Sequence, residues 1–275
     1  MGNNYFSLDE NFEEIIKKSL PGKEVLKTNF ISTGWTNIVY EVETNDGNYF
    51  FRFPRDDFWA RTIVKDYEFG KYIHDKTDFN TIKLEIQYDN GRPYSIHKKV
   101  PGVPLAERMN NLSEAELDNI SDKIAKFMYE LHNVEYDKSK IFTINNIGVD
   151  LDDFLEELLT LHVSKEDRAF WNEKTKINTN CLVHGDLNSS NIILDDNNDV
   201  AAIIDFGFGG YGNKYDDIAR IIGRCPPEFK DRIVKSYEKY SNESLNNITL
   251  NENIDTWNKI DSGYINYMRK IGIYK

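Results

Sequence analysis

Two short stretches hold the residue types that could do chemistry: His184-Gly185-Asp186-Leu187-Asn188-Ser189-Ser190-Asn191 and Ile203-Ile204-Asp205-Phe206-Gly207. An apolar run, Ile192-Ile193-Leu194, and a turn-forming run, Asp195-Asp196-Asn197-Asn198-Asp199, separate them. Asp186 can accept the proton of a hydroxyl group. Asn191 and Asp205 offer the oxygen donors that a small hard cation such as Mg²⁺ prefers. A positioned hydroxyl and metal-neutralised phosphates are the main requirements of phosphoryl transfer, which asks little covalent chemistry of the protein.

An Asp-Phe-Gly alone carries little weight. The joint pattern is more specific. His184-x-Asp186-x-x-x-x-Asn191, followed 14 residues later by Asp205, has the spacing of a kinase catalytic loop and its metal-binding aspartate. The pattern makes Asp186 the catalytic base, and Asn191 and Asp205 the metal ligands. His184 is read as supporting the loop through hydrogen bonds. Asp217, in Tyr215-Asp216-Asp217-Ile218, opens a predicted helix; it can cap that helix or brace the catalytic loop, and bracing is the role assigned.

These residues need a scaffold. Leu8, Phe12, Ile15, Ile16 and Leu20 recur at helical spacing, so a helix is expected over 7–20, ended by Pro21-Gly22. Strands at 37–43 and 49–53 flank Asn45-Asp46-Gly47, a strong hairpin signal. A helix over 62–75 and a second hairpin, 84–88 with 94–99 around Asp89-Asn90-Gly91, follow. Val100-Pro101-Gly102-Val103-Pro104 breaks the pattern and marks the division between an N-terminal lobe, 1–100, and a C-terminal lobe, 101–275. Beyond it helices dominate. Ser113 with Glu116 forms a capping-box signature, and further helices are expected near 151–162, before Cys181, and over 227–241 and 252–270. A small β-hairpin is expected at 192–204. The class is α+β, a small β-rich lobe and a larger helical one, with a ligand cleft between them.

Arg52 lies mid-strand among Phe50, Phe51 and Phe53. Arg55 competes for the same role, but alternation aims Arg52 away from Phe51 and Phe53 and puts it first; a cation there needs a partner, and Glu68 on the following helix is the candidate. The turn Ser32-Thr33-Gly34-Trp35-Thr36 can bring backbone N–H groups close to phosphates, although one glycine makes that signal weak alone.

The 275 residues carry a formal net charge of −12, with 40% hydrophobic and 29% charged residues. That excludes disorder and makes nucleic acid an improbable partner, because phosphate-backbone binding relies on clustered cations. A cationic small-molecule substrate is compatible with it, as is simple solubility. No apolar run approaches the roughly 18 residues that span a bilayer, and Met1 to Tyr5 lack the pattern of a secretory signal. Cys181 and Cys225 have no metal-binding spacing. A monomeric cytoplasmic protein is the expectation.

The chain resembles aminoglycoside phosphotransferases and their kinase-like relatives from about residue 28 to 219. The resemblance rests on the two motifs above, with support from Phe51-Arg52-Phe53-Pro54, Lys99-Val100-Pro101-Gly102-Val103-Pro104-Leu105 and Leu131-His132. Phe-Arg-Phe-Pro is most like the 2″-phosphorylating branch. The resemblance implies a bilobal protein-kinase-like fold and ATP or GTP as co-substrate with Mg²⁺. It implies Arg52 paired with Glu68, Ser32 to Thr36 over the phosphates, and Ile96, Lys98 and Val100 in the base pocket. It also implies an acceptor site on the helical lobe, for which Asp153, Glu157, Glu252, Trp257 and Asp261 are candidates among acidic and aromatic groups. Phe208 stands where many such enzymes carry an acidic residue. The family also includes kinases for choline, sugars and amino-acid alcohols, so an aminoglycoside acceptor, a metabolic acceptor and a nucleotide-binding pseudokinase remain open.

Overall fold

A computed structural model describes residues 5–32, 36–147 and 181–270. Its N-terminal part is a five-stranded antiparallel sheet. Helix α1 (Phe12–Ser19) precedes β1 (Val25–Ile31), β2 (Asn37–Thr44) and β3 (Gly47–Pro54); α2 (Asp57–Ile73) then leads to β4 (Glu85–Asp89) and β5 (Arg92–Lys98). The strands lie in the order β1-β2-β3-β5-β4. Asn90 and Gly91 both have positive φ, 51° and 80°, as a two-residue type I′ hairpin requires. One face of the sheet packs on α1. Phe51, Phe53, Ile38, Val42, Tyr94 and Ile96 join Phe6, Phe12, Ile16 and Leu20 in a closed cluster, with Phe53 centroids 4.7 Å from Phe12 and 5.0 Å from Tyr94. The other face turns to the cleft.

The first helix is shorter than its periodicity predicts. Glu10 leaves the helical path because its carboxylate caps the Ser7 amide at 2.9 Å and receives both Arg92 guanidinium branches at 2.8 Å. Leu8, expected to face inward, is 58% exposed. Helix α2 starts earlier than predicted, where Asp56 accepts the Trp59 amide at 3.0 Å.

After β5 the chain crosses to a second, mainly helical part. Gly102 makes the crossing possible: its φ is +132°, and a Cβ there would lie 2.1 Å from the Leu194 carbonyl oxygen. Next come β6 (Val103–Pro104), α3 (Leu105–Arg108), α4 (Glu114–His132) and α5 (Lys138–Ile147). The Ser113–Glu116 capping box forms as the sequence predicts. Then follow β7 (Cys181–Val183), β8 (Ile192–Leu194), β9 (Val200–Ile203), β10 (Gly210–Gly212), α6 (Lys214–Gly223), α7 (Pro227–Ser241) and α8 (Asn247–Lys270). Strands β6-β8-β9 form one small sheet and β7-β10 another. Helix α7 begins and ends where predicted; α8 begins earlier. The expected helices near 151–162 and before Cys181 lie outside the described residues.

The larger core gathers Phe127, Met128, Leu131, Ile218, Phe229 and Ile233 with Leu182 and Ile203 of the small sheets. It also takes Phe69 and Ile73 from α2. That helix is therefore anchored on the C-terminal core, although it precedes the crossing in sequence, and its buried face runs past the cleft.

Candidate active site

The catalytic loop leaves the buried strand β7 and turns sharply at Gly185. There φ is +79°, and a Cβ would come within 2.2 Å of the Phe208 carbonyl oxygen, so no other residue fits without displacement. Asp217, in the first turn of α6, accepts the His184 amide at 2.8 Å and the Gly185 amide at 2.9 Å. His132 Nε2 stands 3.2 Å from the same carboxylate, and its Nδ1 stands 2.8 Å from the Tyr237 hydroxyl. Burial alone would raise the Asp217 pKa; the His132 hydrogen bond and the neighbouring imidazoles and amides outweigh it and hold the group below its ordinary value. His184 is fully buried. The Asp186 amide donates to its Nδ1 at 3.2 Å, so Nε2 carries the hydrogen and donates to the Ile204 carbonyl at 3.0 Å. The imidazole thus links one motif to the other.

That link is doubled by the backbone, since the Ile204 amide donates to the Asn191 carbonyl at 3.0 Å. Asn191 Nδ2 donates to the Asp186 carbonyl at 2.9 Å and to its Oδ2 at 3.3 Å, which leaves the amide oxygen as the atom suited to a cation. Asp205 lies two residues beyond β9 with φ +67°, a left-handed conformation that few non-glycine residues adopt. Burial pushes its pKa up to about 6; Arg52 pulls it down, while Asp66 and Asp186 add to the rise. The Asp205 carboxylate and the Asn191 amide oxygen are hard oxygen donors of the kind that suits a divalent cation. Among the described residues no cluster of three or more His, Cys, Asp or Glu could hold a metal. Two protein ligands completed by phosphates and water is the arrangement Mg²⁺ favours.

Arg52 stands across from Asp205 at 3.6 Å and is paired closely with Asp66. Its Nε donates to Ser95 Oγ at 3.0 Å. Asp66 also accepts the Phe206 amide at 2.8 Å, so one carboxylate fixes both the cation and the Asp-Phe-Gly segment. The far side of Asp186 is held by α6: Arg220 donates to Asp186 Oδ1 from Nε at 3.0 Å and from Nη2 at 2.7 Å.

Two cavities meet at these groups. The larger, about 440 Å³, lies between sheet and helices and is lined by Val39, Phe50, His97, Lys99, Val100, Ile193 and Ile204. The smaller, about 360 Å³, is lined by Thr36, Asn37, Trp59, Asp186, Asn191, Phe208, Arg220, Trp257 and Asp261. Arg52, Asp66, Ser190 and Asp205 line both. The first cavity thus opens into the second beside Asp205.

A sequence model of the phosphotransferase enzyme family (APH) matches residues 27–245. The chain belongs to this family. The fold of the phosphotransferase is similar to that of APH(2″)-IIIa in its complex with GDP and kanamycin, at 18% identity over 92% of this chain and 90% of that one, TM-score 0.72. ADP-bound APH(2″)-Ib matches at 23% identity over 95% and 92%, TM-score 0.67. Macrolide 2′-phosphotransferase MphH from Brachybacterium faecium matches at 12% identity over 94% and 92%, TM-score 0.63. No helix among the described residues is long and apolar enough to cross a membrane.

The phosphotransferase brings Asp186, Asn191, Asp205, His184, Asp217 and Arg52 together, and it corrects several expectations. Arg52 meets Asp66, not Glu68. On α2, Asp66 shares the buried face with Ile63, Phe69 and Ile73, and Glu68 is about 200° further round the helix. A carboxylate within an apolar stripe was the available signal. Ile96 and Lys98 do not line the larger cavity, whereas Val100 does. Strand alternation puts Ile96 in the α1-side core beside Phe51, and Lys98 at the surface near Asp46. His97 and Lys99 take the cleft side. Ser32 is exposed at the end of β1, and Thr33 and Gly34 lie outside the described residues. Asp153 and Glu157 also lie outside them. Glu252 is exposed and is not part of either cavity wall. Trp257 and Asp261 do reach the smaller cavity, but Asp261 is paired with Arg220 and with Arg224, at 2.5 Å for the latter. Arg220 and Arg224 themselves were not anticipated. The signal for Arg220 was its place one helical turn after Asp217 on α6, which puts both on the face toward the catalytic loop.

Proposed function

We propose that this enzyme transfers the γ-phosphoryl group of ATP or GTP to a hydroxyl of an aminoglycoside, and so inactivates an antibiotic. The observation that carries this reading is the meeting of two cavities at Arg52 and Asp205, with Asp186 and Asn191 on the wall of the smaller one. Support for the acceptor class comes from solved relatives described with kanamycin, gentamicin and streptomycin, and for the donor from those described with GDP, ADP and ATP. The 2″ position is the favoured acceptor hydroxyl, because several relatives carry that designation.

The nucleotide base occupies the larger cavity against Val39, Phe50 and Ile193. Arg52, held in place by Asp66 and Ser95, faces the phosphates. Asn191 and Asp205 would hold Mg²⁺, which when bound neutralises charge on the phosphate oxygens. The acceptor hydroxyl donates to Asp186 Oδ2. Its oxygen forms the new bond to the γ-phosphorus as the bond to the β–γ bridging oxygen breaks; that electron pair leaves with the nucleoside diphosphate, and the hydroxyl proton passes to Asp186.

The test is a transfer assay with labelled ATP and GTP against kanamycin, gentamicin, streptomycin, choline and simple sugars. Phosphorylation of an aminoglycoside is the expected outcome. Turnover of choline or a sugar alone would replace the acceptor class, and the lack of any Mg²⁺-nucleotide thermal shift would replace the enzyme by a binding module.

A further inference from the structure

The geometry points to Arg220 and Asp261 as a positioning chain that sets the catalytic base from the C-terminal helix, a role distinct from substrate binding. The inference rests on the proposed phosphoryl-transfer reading and deepens it. Arg220 is the only guanidinium among the described residues that donates to Asp186, and it does so twice to one oxygen, from Nε at 3.0 Å and Nη2 at 2.7 Å. Its remaining branch, Nη1, donates to Asp261 of α8. The guanidinium carbon lies over the Trp257 ring, 4.5 Å from its centroid. The Arg220 side chain is 11% exposed and that of Asp261 15%.

Three constraints on one planar group leave it little freedom. Its two ends are tied to carboxylates and it lies over an indole, so rotation about its stem would break these contacts. An arginine cannot release its proton, so it cannot act as an acid in turnover. What it can do is fix the Asp186 carboxylate plane. With Oδ1 occupied twice, Oδ2 is the oxygen turned to the acceptor, and Asn191 Nδ2 touches it at only 3.3 Å. Asp261 then acts through Arg220. Its carboxylate is shared with Arg224 at 2.5 Å, so it already has two cationic partners before any substrate ammonium arrives. Helix α8 is thereby coupled to the reacting oxygen through Arg220.

The experiment is steady-state kinetics of Asp261→Asn, Arg220→Lys and Arg220→Ala with kanamycin and the nucleotide the wild type prefers. A loss in kcat of about tenfold for Asp261→Asn and about a hundredfold for Arg220→Ala is expected, with the KM of both substrates within about twofold, because a positioning interaction is felt in the transition state. Arg220→Lys should recover part of the loss, since a lysine keeps the charge and loses the fork. Nucleotide-induced thermal shifts report whether each variant is folded; should Arg220→Ala not fold, the other two variants decide. Unchanged kcat in Asp261→Asn, or a raised kanamycin KM at constant kcat, would overturn the inference and make Asp261 a substrate carboxylate. Should the wild type phosphorylate no aminoglycoside, only the acceptor class fails. The same variants are then compared in Mg²⁺-nucleotide hydrolysis, where water is the acceptor and equal rates would overturn the inference.

Discussion

The α1 side of the N-terminal sheet and the cleft side of the same sheet are built on opposite principles. On the first, Phe51, Phe53, Ile38 and Tyr94 close against α1 with aromatic rings at 4.7 to 5.0 Å, and specificity comes from shape alone. On the second, a few ångströms away through one strand, Arg52 enters a crevice that also holds Asp66, Asp186, Asp205 and Arg220. Burying apolar area drives folding directly. Burying paired charges is often close to neutral, and breaking such a pair is expensive because the survivor stays desolvated. The cleft therefore holds charges that folding alone does not require, as sites built to stabilise a charged transition state do.

The sharpest way to break this comparison is at the reacting groups. Asp186→Ala should lower kcat by about 10² to 10⁴, the usual worth of a general base, with unchanged nucleotide binding by calorimetry. A variant that melts early and binds nucleotide poorly would make Asp186 a structural residue. Asp66→Ala should do both kinds of damage. It strands Arg52 and frees the Phe206 amide, so a stability loss of about 3–5 kcal/mol in urea titration should accompany weakened nucleotide binding; a loss confined to stability would detach Asp66 from the site.

Phe53→Ala tests the other side. An aromatic deleted from a packed core costs about 3–5 kcal/mol, and the kcat of the folded fraction should stay near wild type. A marked fall in kcat at full folding would show the two faces of the sheet to be coupled. The smallest effect belongs to His97, which sits on the sheet but faces the cleft. Burial, then the charge of Arg52, pushes it down to about 4 from an ordinary 6.5. Folding thus favours the neutral ring, and the unfolded chain takes up the proton first as pH falls. Its contribution is complete above pH 6.5 and is lost as pH drops through 4. The wild type should lose melting temperature between pH 7 and 4 more steeply than His97→Phe; parallel curves would refute the neutral state of the folded ring.

Much of this arrangement is written in local order. Alternation alone aimed Arg52 away from Phe51 and Phe53. Asn90-Gly91 named its own hairpin, Ser113 and Glu116 their own cap, and the spacing from His184 to Asp205 put Asp186, Asn191 and Asp205 within reach of one another. Each of these depends on a few neighbouring residues with a fixed period, so no distant contact had to be known.

Other features depended on helix phase and on how distant segments meet. Whether Asp66 or Glu68 answers Arg52 turns on which face of α2 the larger core takes. Whether His97 or Ile96 faces the cleft turns on the pairing of Phe51 with Ile96 across two strands. The grip of Arg220 on Asp186 needs α6 and α8 packed side by side. Burial cost discriminates between such neighbours only after the chain has closed, because a charge is expensive or cheap according to partners that are far away in sequence.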